Sequence, residues 1–133
     1  MAIVVSLEHL AQANGNPKAK ILADTLDTAI EDLLKNGKSP MRKVGQLDNR
    51  GSHFYLAMYW ANELANQTED TTLKATFEKV VADMKAQENN IVSELNNAQG
   101  SAEYMKGYYL PDTEATFASM RPSATLNAII DSM

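Results

Sequence analysis

Four basic side chains, Lys38, Arg42, Lys43 and Arg50, lie within thirteen residues of the chain, with Asp48 as the only carboxylate among them. This stretch carries a net charge of +3, whereas the whole chain carries −5. An arginine can hold a phosphate through two parallel hydrogen bonds, and a lysine acts as a point charge. The cluster therefore indicates a site for an anion such as a phosphate group.

The start of the next predicted helix strengthens this interpretation. We expect Gly51, Ser52 and His53 to present unpaired backbone N–H groups and the positive end of the helix dipole, which attracts anions. A long connection without regular structure is also uncommon in a small helical domain and is usually functional or mobile. The structural alternative is that Arg50 pairs with Asp48 and the other cations are solvated.

The rest of the chain contains few groups suited to catalysis. There are no cysteines and two histidines, His9 and His53, and the chain contains neither a glycine-rich phosphate loop nor an HExxH or GxSxG motif. The carboxylates of Asp24, Asp27 and Glu31 fall on one helix face, which we interpret as a solvated surface. An acid-base centre cannot be assembled from these residues alone.

Composition predicts a single globular domain over residues 1–133, with 44% hydrophobic and 22% charged residues. The pI near 4.9 argues against nucleic-acid binding, which requires basic surfaces. No apolar run approaches the roughly 20 residues of a membrane span. The N-terminal stretch lacks the features of a signal peptide, so we expect a cytoplasmic protein.

Apolar spacing and capping residues predict an all-α fold of about six helices. The first starts at Met1 and stops at Asn14-Gly15, and the second runs from an Asn16 cap and Pro17 to Gly37. Its predicted core stripe is Leu22, Leu26, Ala29, Ile30 and Leu33. An aromatic third helix spans 52–66, and its rings on nearly every side predict burial among several neighbours.

Residues 68–95 are predicted to form one long helix, or two that break near Asn89-Asn90. They contain fewer than four clean heptads, which favours an antiparallel helical hairpin over a coiled coil. Asp112 or Thr113 then caps a short helix that ends near Met120, and Pro122 starts a final one.

Three stretches carry a family resemblance: GNPKAKILADTLDTAIEDLLKNGKSPMRKVGQLDNRGSHFYLAMYWANELANQTED, GYYLPD and MRPSATLNAII. Together they resemble the C-terminal part of the monomeric type of NADP-dependent isocitrate dehydrogenase. The likeness extends over almost all of the chain, and its most specific part is the pattern GKSP.R..G.LDNRGSHF. Chains of that family are several times longer, so the resemblance implies a C-terminal piece of a larger α/β enzyme.

The resemblance implies oxidative decarboxylation of isocitrate to 2-oxoglutarate with reduction of NADP, aided by Mg or Mn, in a bacterial cytoplasm. It places the groups for substrate, metal and proton transfer upstream of the matched part. This chain alone is therefore expected to bind no metal and to be inactive. Its partners would be NADP, isocitrate and the upstream part of the enzyme.

In that family an arginine of the SP.R stretch holds the 2′-phosphate of NADP, and Arg42 occupies its place. We expect Lys43 to add positive field, and Arg50 either to contact the cofactor or to lock the loop through Asp48. Met41 departs from the small polar residue expected before the arginine. The alternative function is a free-standing helical module that binds a protein partner or forms a homo-oligomer without catalysis.

Overall fold

The computed structural model describes residues 2–133, which form seven α-helices and contain no β-strand. The helices are α1 (Ala2–Asn14), α2 (Pro17–Lys35), α3 (Asn49–Asn66), α4 (Thr71–Ala86), α5 (Glu88–Asn97), α6 (Thr113–Met120) and α7 (Ala124–Asp131). The all-α prediction is confirmed. The predicted start of the first helix at Met1 lies outside the described residues.

A short turn joins α1 to α2, as its residue types predict. Gly15 adopts a left-handed conformation with φ 58°, which ends α1. The side chain of Asn16 then accepts a hydrogen bond from the backbone N–H of Ala19 at 3.2 Å, with Pro17 as the first residue of α2. The two helices pack against each other as a hairpin.

Helix α3 lies at the centre of the fold and packs against α2, α4 and α5. The chain after the short link at residues 67–70 runs back along α3: Lys85, near the end of α4, donates to Asn62 at 2.7 Å, and Tyr55, nearer the start of α3, donates to Glu88, the first residue of α5, at 2.8 Å. This pair confirms the predicted antiparallel helical hairpin. The main buried cluster takes most of its residues from α3, α4 and α5: Phe54, Tyr55, Met58, Ala61, Ala65, Val80, Val81, Met84, Ile91, Leu95 and Ile129.

The predicted core stripe of α2 is only partly right. Leu26 and Ala29 are buried, but Leu22, Ile30 and Leu33 are only half-buried. The buried positions that the prediction missed are Ala19, Ile21, Ala23 and Thr25. A single stripe was wrong because α2 is covered by α1 on one side and by α3 on another.

Two helix boundaries in the second half differ from the prediction. The long helical stretch breaks at Gln87, ahead of Asn89-Asn90, and separates α4 from α5. The last helix starts at Ala124 and not at Pro122, because the Ser123 hydroxyl caps it by accepting from the N–H of Leu126 at 3.0 Å. The break at Gln87 raises the helix count from six to seven.

The connection between α5 and α6 is irregular and exposes large apolar side chains. Tyr104, Tyr108, Tyr109 and Leu110 are each more than four-fifths exposed.

Within residues 2–133, none of the helices is long and apolar enough to span a bilayer.

Candidate functional site

The cationic loop, residues 36–48 between α2 and α3, has a defined backbone path. The N–H of Met41 donates to the carbonyl of Leu47 at 2.6 Å and closes the loop on itself. A tighter turn lies inside it, where Gln46 N–H donates to Lys43 O at 3.1 Å and Gly45 takes the left-handed position with φ 84°. Arg42 and Lys43 are therefore presented at one end of an ordered turn.

Arg42 and Lys43 are both exposed at the surface. Throughout residues 2–133, neither side chain has a carboxylate oxygen within the 4.0 Å of a salt bridge, although six such bridges form elsewhere in that part of the chain. Both charges are thus available to an external anion.

Arg50 is engaged inside the fold. Its Nε and Nη2 atoms lie 2.9 and 2.8 Å from Oδ2 of Asp48, and its Nη1 atom donates to the carbonyl of Ser119 at 3.0 Å. The side chain is only 16% exposed. Of the two roles expected for Arg50, these contacts support locking the loop through Asp48. Direct contact with a cofactor stays a prediction.

The backbone N–H groups of Gly51 and Ser52 were expected to be unpaired at the start of α3, and this expectation is wrong. The helix begins at Asn49, and Asp48 caps it: Oδ1 accepts from Gly51 N–H at 3.0 Å, and the Asp48 carbonyl accepts from Ser52 N–H at 2.9 Å. Burial alone would raise the pKa of the Asp48 carboxyl, but the Gly51 N–H and Arg50 outweigh it and hold that pKa below its ordinary value. A carboxylate of the chain already fills the place expected for a ligand.

Lys38 is also committed to the fold. Its Nζ atom lies 4.1 Å from the centre of the Tyr55 ring, a cation–π contact, and the residue is half-buried. Burial and the hydrogen bond to Glu88 raise the pKa of the Tyr55 hydroxyl above its ordinary range, so the ring stays neutral. Lys38 therefore helps to hold the loop against α3.

A concavity of about 490 Å³ lies between α3, α5, α6 and α7. Apolar residues make up most of its wall: Phe54, Ala57, Leu95, Met120, Leu126 and Ile130. Arg50 and Arg121 stand at it, but Arg121 is paired with Asp131 at 3.2 Å and Asn127 at 3.0 Å. Neither Arg42 nor Lys43 lines this cavity, which sequence reasoning missed because its wall comes from four distant segments.

The two histidines lie on different helices and do not form a common site. His9 is exposed on α1, and His53 is exposed on α3 with Nδ1 2.6 Å from the carbonyl oxygen of Asn49. Over residues 2–133, no three side chains among His, Cys, Asp and Glu are grouped so that they could hold a metal ion. Asp24, Asp27 and Glu31 on α2 are solvent-exposed, and Lys20 pairs with Asp24 and Lys35 with Glu31.

Gln99 contacts the cationic loop, and the sequence analysis did not identify it as part of the site. It follows α5, and its side-chain amide contacts the turn of the cationic loop across more than fifty residues of sequence. No local pattern signals such a contact, because it depends on how α5 packs against α3.

Comparison with known proteins identifies the family. A sequence model described as "Monomeric isocitrate dehydrogenase" matches residues 1–131. Over all 133 residues the chain is 55% identical to isocitrate dehydrogenase (NADP) 2 of Colwellia maris and 48% identical to isocitrate dehydrogenase (NADP) 2 of Mycobacterium tuberculosis. It is 53% identical to isocitrate dehydrogenase (NADP) of Azotobacter vinelandii over 130 residues, or 98% of the chain.

The chain spans 18% of the length of each of these relatives. The family model covers residues 1–131, which is nearly the whole chain. The chain therefore belongs to the family of monomeric isocitrate dehydrogenases.

Proposed function

We propose that this chain is the C-terminal portion of an NADP-dependent isocitrate dehydrogenase, and that Arg42 holds the 2′-phosphate of NADP. The enzyme would convert isocitrate to 2-oxoglutarate in a bacterial cytoplasm. The names of the relatives support the reaction, and the exposed positions of Arg42 and Lys43 support the site. The free-standing module is not favoured, because the likeness extends over the full chain.

The main observation behind the proposed site is that the four basic side chains of the loop region have different surroundings. Arg50 and Lys38 make contacts inside the fold, whereas Arg42 and Lys43 face solvent from an ordered turn. NADP differs from NAD by one phosphate on the adenosine ribose, and arginine is the side chain that commonly accommodates it. Arg42 would bind this phosphate through its guanidinium fork, and Lys43 would add charge nearby.

NADP, when bound, supplies the hydride acceptor, and the residues of this chain hold one end of that cofactor. The groups for isocitrate, proton transfer and the divalent ion are assigned to other segments of the enzyme. No metal-dependent step is therefore placed in this chain. The isolated chain should show no turnover with isocitrate, NADP and a divalent metal ion.

A segment replacement tests the proposal. The Azotobacter vinelandii enzyme, which is 53% identical over the matched region, would receive residues 1–133 in place of its own segment. We expect the chimera to oxidise isocitrate with NADP, and Arg42→Ala in it to raise the KM for NADP. A folded chimera that reduces NAD and NADP equally well would contradict the proposed site.

A homo-oligomer of the isolated chain is a secondary proposal. The exposed Tyr104, Tyr108, Tyr109 and Leu110 would be covered by other parts of a longer enzyme, and uncovered apolar surface promotes association. Light scattering over a concentration series should then give a mass that rises with concentration. A constant monomer mass would exclude self-association.

A further inference from the structure

We propose that Gln99 is a positioning residue that fixes the turn 43–46 in the shape needed to bind the 2′-phosphate. This inference rests on the proposed function, because it assumes that Arg42 and Lys43 contact NADP. Gln99 belongs to neither the cationic loop nor a helix; it lies just after the end of α5.

The side-chain amide of Gln99 contacts two successive residues of the turn. Its Oε1 atom accepts from the N–H of Gly45 at 2.8 Å, and its Nε2 atom donates to the carbonyl of Gln46 at 2.9 Å. A backbone N–H can only donate and a carbonyl can only accept, so the partner must offer an acceptor and a donor side by side. A carboxylate, a hydrocarbon or an ammonium group cannot do both.

These two bonds are the hydrogen bonds that join the turn to residues outside the cationic loop. In the described part of the chain, every other hydrogen bond of residues 43–46 stays within the cationic loop. Gln99 is itself held, since its backbone N–H donates to Asn96 O at 3.2 Å and Nε2 lies 3.3 Å from Asn96 Oδ1. Val44 adds a close approach: a Cβ at Gly100 would lie 3.4 Å from its Cγ1 atom.

Loss of the amide should therefore leave the turn mobile while the helices stay folded. Binding of a phosphate would then have to order Arg42 and Lys43 at the same time, which lowers affinity. NAD lacks the 2′-phosphate, so its binding should not change. The expected signature is a selective loss for NADP.

The test compares the 133-residue chain with Gln99→Met, which fills similar space without hydrogen bonds, and with Gln99→Ala. Gln87→Leu is the matched control, because Gln87 is an exposed glutamine whose side chain makes no capping hydrogen bond. NADP and NAD are titrated separately and followed by NMR, and hydrogen exchange of the Gly45 amide is measured in parallel. Thermal unfolding shows whether each variant folds.

We expect both Gln99 variants to speed exchange at Gly45 and to weaken NADP binding about fivefold, as the loss of two modest hydrogen bonds implies, with NAD unchanged. Equal loss for both nucleotides, or no loss with a folded variant, would overturn the positioning role alone. If the wild-type chain shows no preference for NADP, the proposed function fails, and this inference fails with it.

Discussion

Asp48 and Arg50 form a pair in which one carboxylate does two structural tasks. Oδ2 of Asp48 lies within 2.9 Å of Nε and 2.8 Å of Nη2 of Arg50, while Oδ1 caps α3 at the N–H of Gly51. The Nη1 atom of Arg50 also donates to the carbonyl of Ser119, near the end of α6, at 3.0 Å. The pair thus joins the cationic loop, the central helix and the C-terminal region.

Substitutions at Asp48 should separate these two tasks. Asp48→Asn keeps an oxygen for the cap but leaves the largely buried Arg50 without its anion, so we expect a loss of about 1 to 2 kcal/mol in the free energy of unfolding. Asp48→Ala also removes the cap and should cost about 1 kcal/mol more. Urea unfolding measures both, with the exposed Asp27→Asn as control. Equal stability of the Asn variant and the wild type would contradict the role of the pair.

Glu94 should make stability depend on pH. Its carboxylate accepts from the hydroxyls of Ser123 and Thr125 at 2.5 and 2.7 Å, and these bonds, that of Ser123 first, hold the pKa of Glu94 below its ordinary value. A lowered folded-state pKa stabilises the fold above the unfolded pKa, near 4.3, and this contribution disappears as the pH falls through the folded value.

Glu94→Gln should therefore lower the free energy of unfolding by about 1 to 3 kcal/mol at neutral pH, and this difference should shrink below about pH 4.5. Urea unfolding at several pH values measures the difference, with Glu78→Gln, at an exposed position of α4, as the control. A difference that stays constant down to pH 3 would argue against ionised Glu94 as the group responsible.

Trp60 and Thr25 provide a test of the contact between α2 and α3. The indole N–H of Trp60 donates to Oγ1 of Thr25 at 3.0 Å, and that hydroxyl donates to the carbonyl of Ile21 at 2.6 Å. Thr25→Val keeps the shape but removes the acceptor of the indole, and we expect a loss of about 1 to 2 kcal/mol. Thr28→Val, on the exposed side of the same helix, should change little in thermal unfolding. Equal effects would contradict the importance of this contact.

Local sequence signals predicted much of the helical framework. The side chains of Asn16 and Asp112 each cap a helix, as expected from their residue types. The errors arise where a second element decides the outcome. The buried face of α2 depends on two neighbouring helices, a property that its own periodicity cannot encode.

The candidate site shows the same division between local and long-range information. The residue types near Arg42 indicated an anion site and its place in the chain. They could not show that the Asp48 carboxylate would cap α3 at the N–H of Gly51, or that Lys38 would lie over the ring of Tyr55. They also could not reveal Gln99, whose contact with Gly45 spans 54 residues. Only the packed structure shows which two of the four basic side chains, Arg42 and Lys43, stay exposed.

The most direct test of the central claim is the difference between NADP and NAD binding in the wild-type chain and in Arg42→Ala. Lys79→Ala, which removes one exposed charge from α4, is the control for general electrostatics. If Arg42 holds the 2′-phosphate, NADP binding should weaken by about 1.5 to 3 kcal/mol in Arg42→Ala, with NAD and the control unchanged. A wild-type chain that binds both nucleotides equally, or an Arg42→Ala variant that keeps the full preference for NADP, would contradict the account.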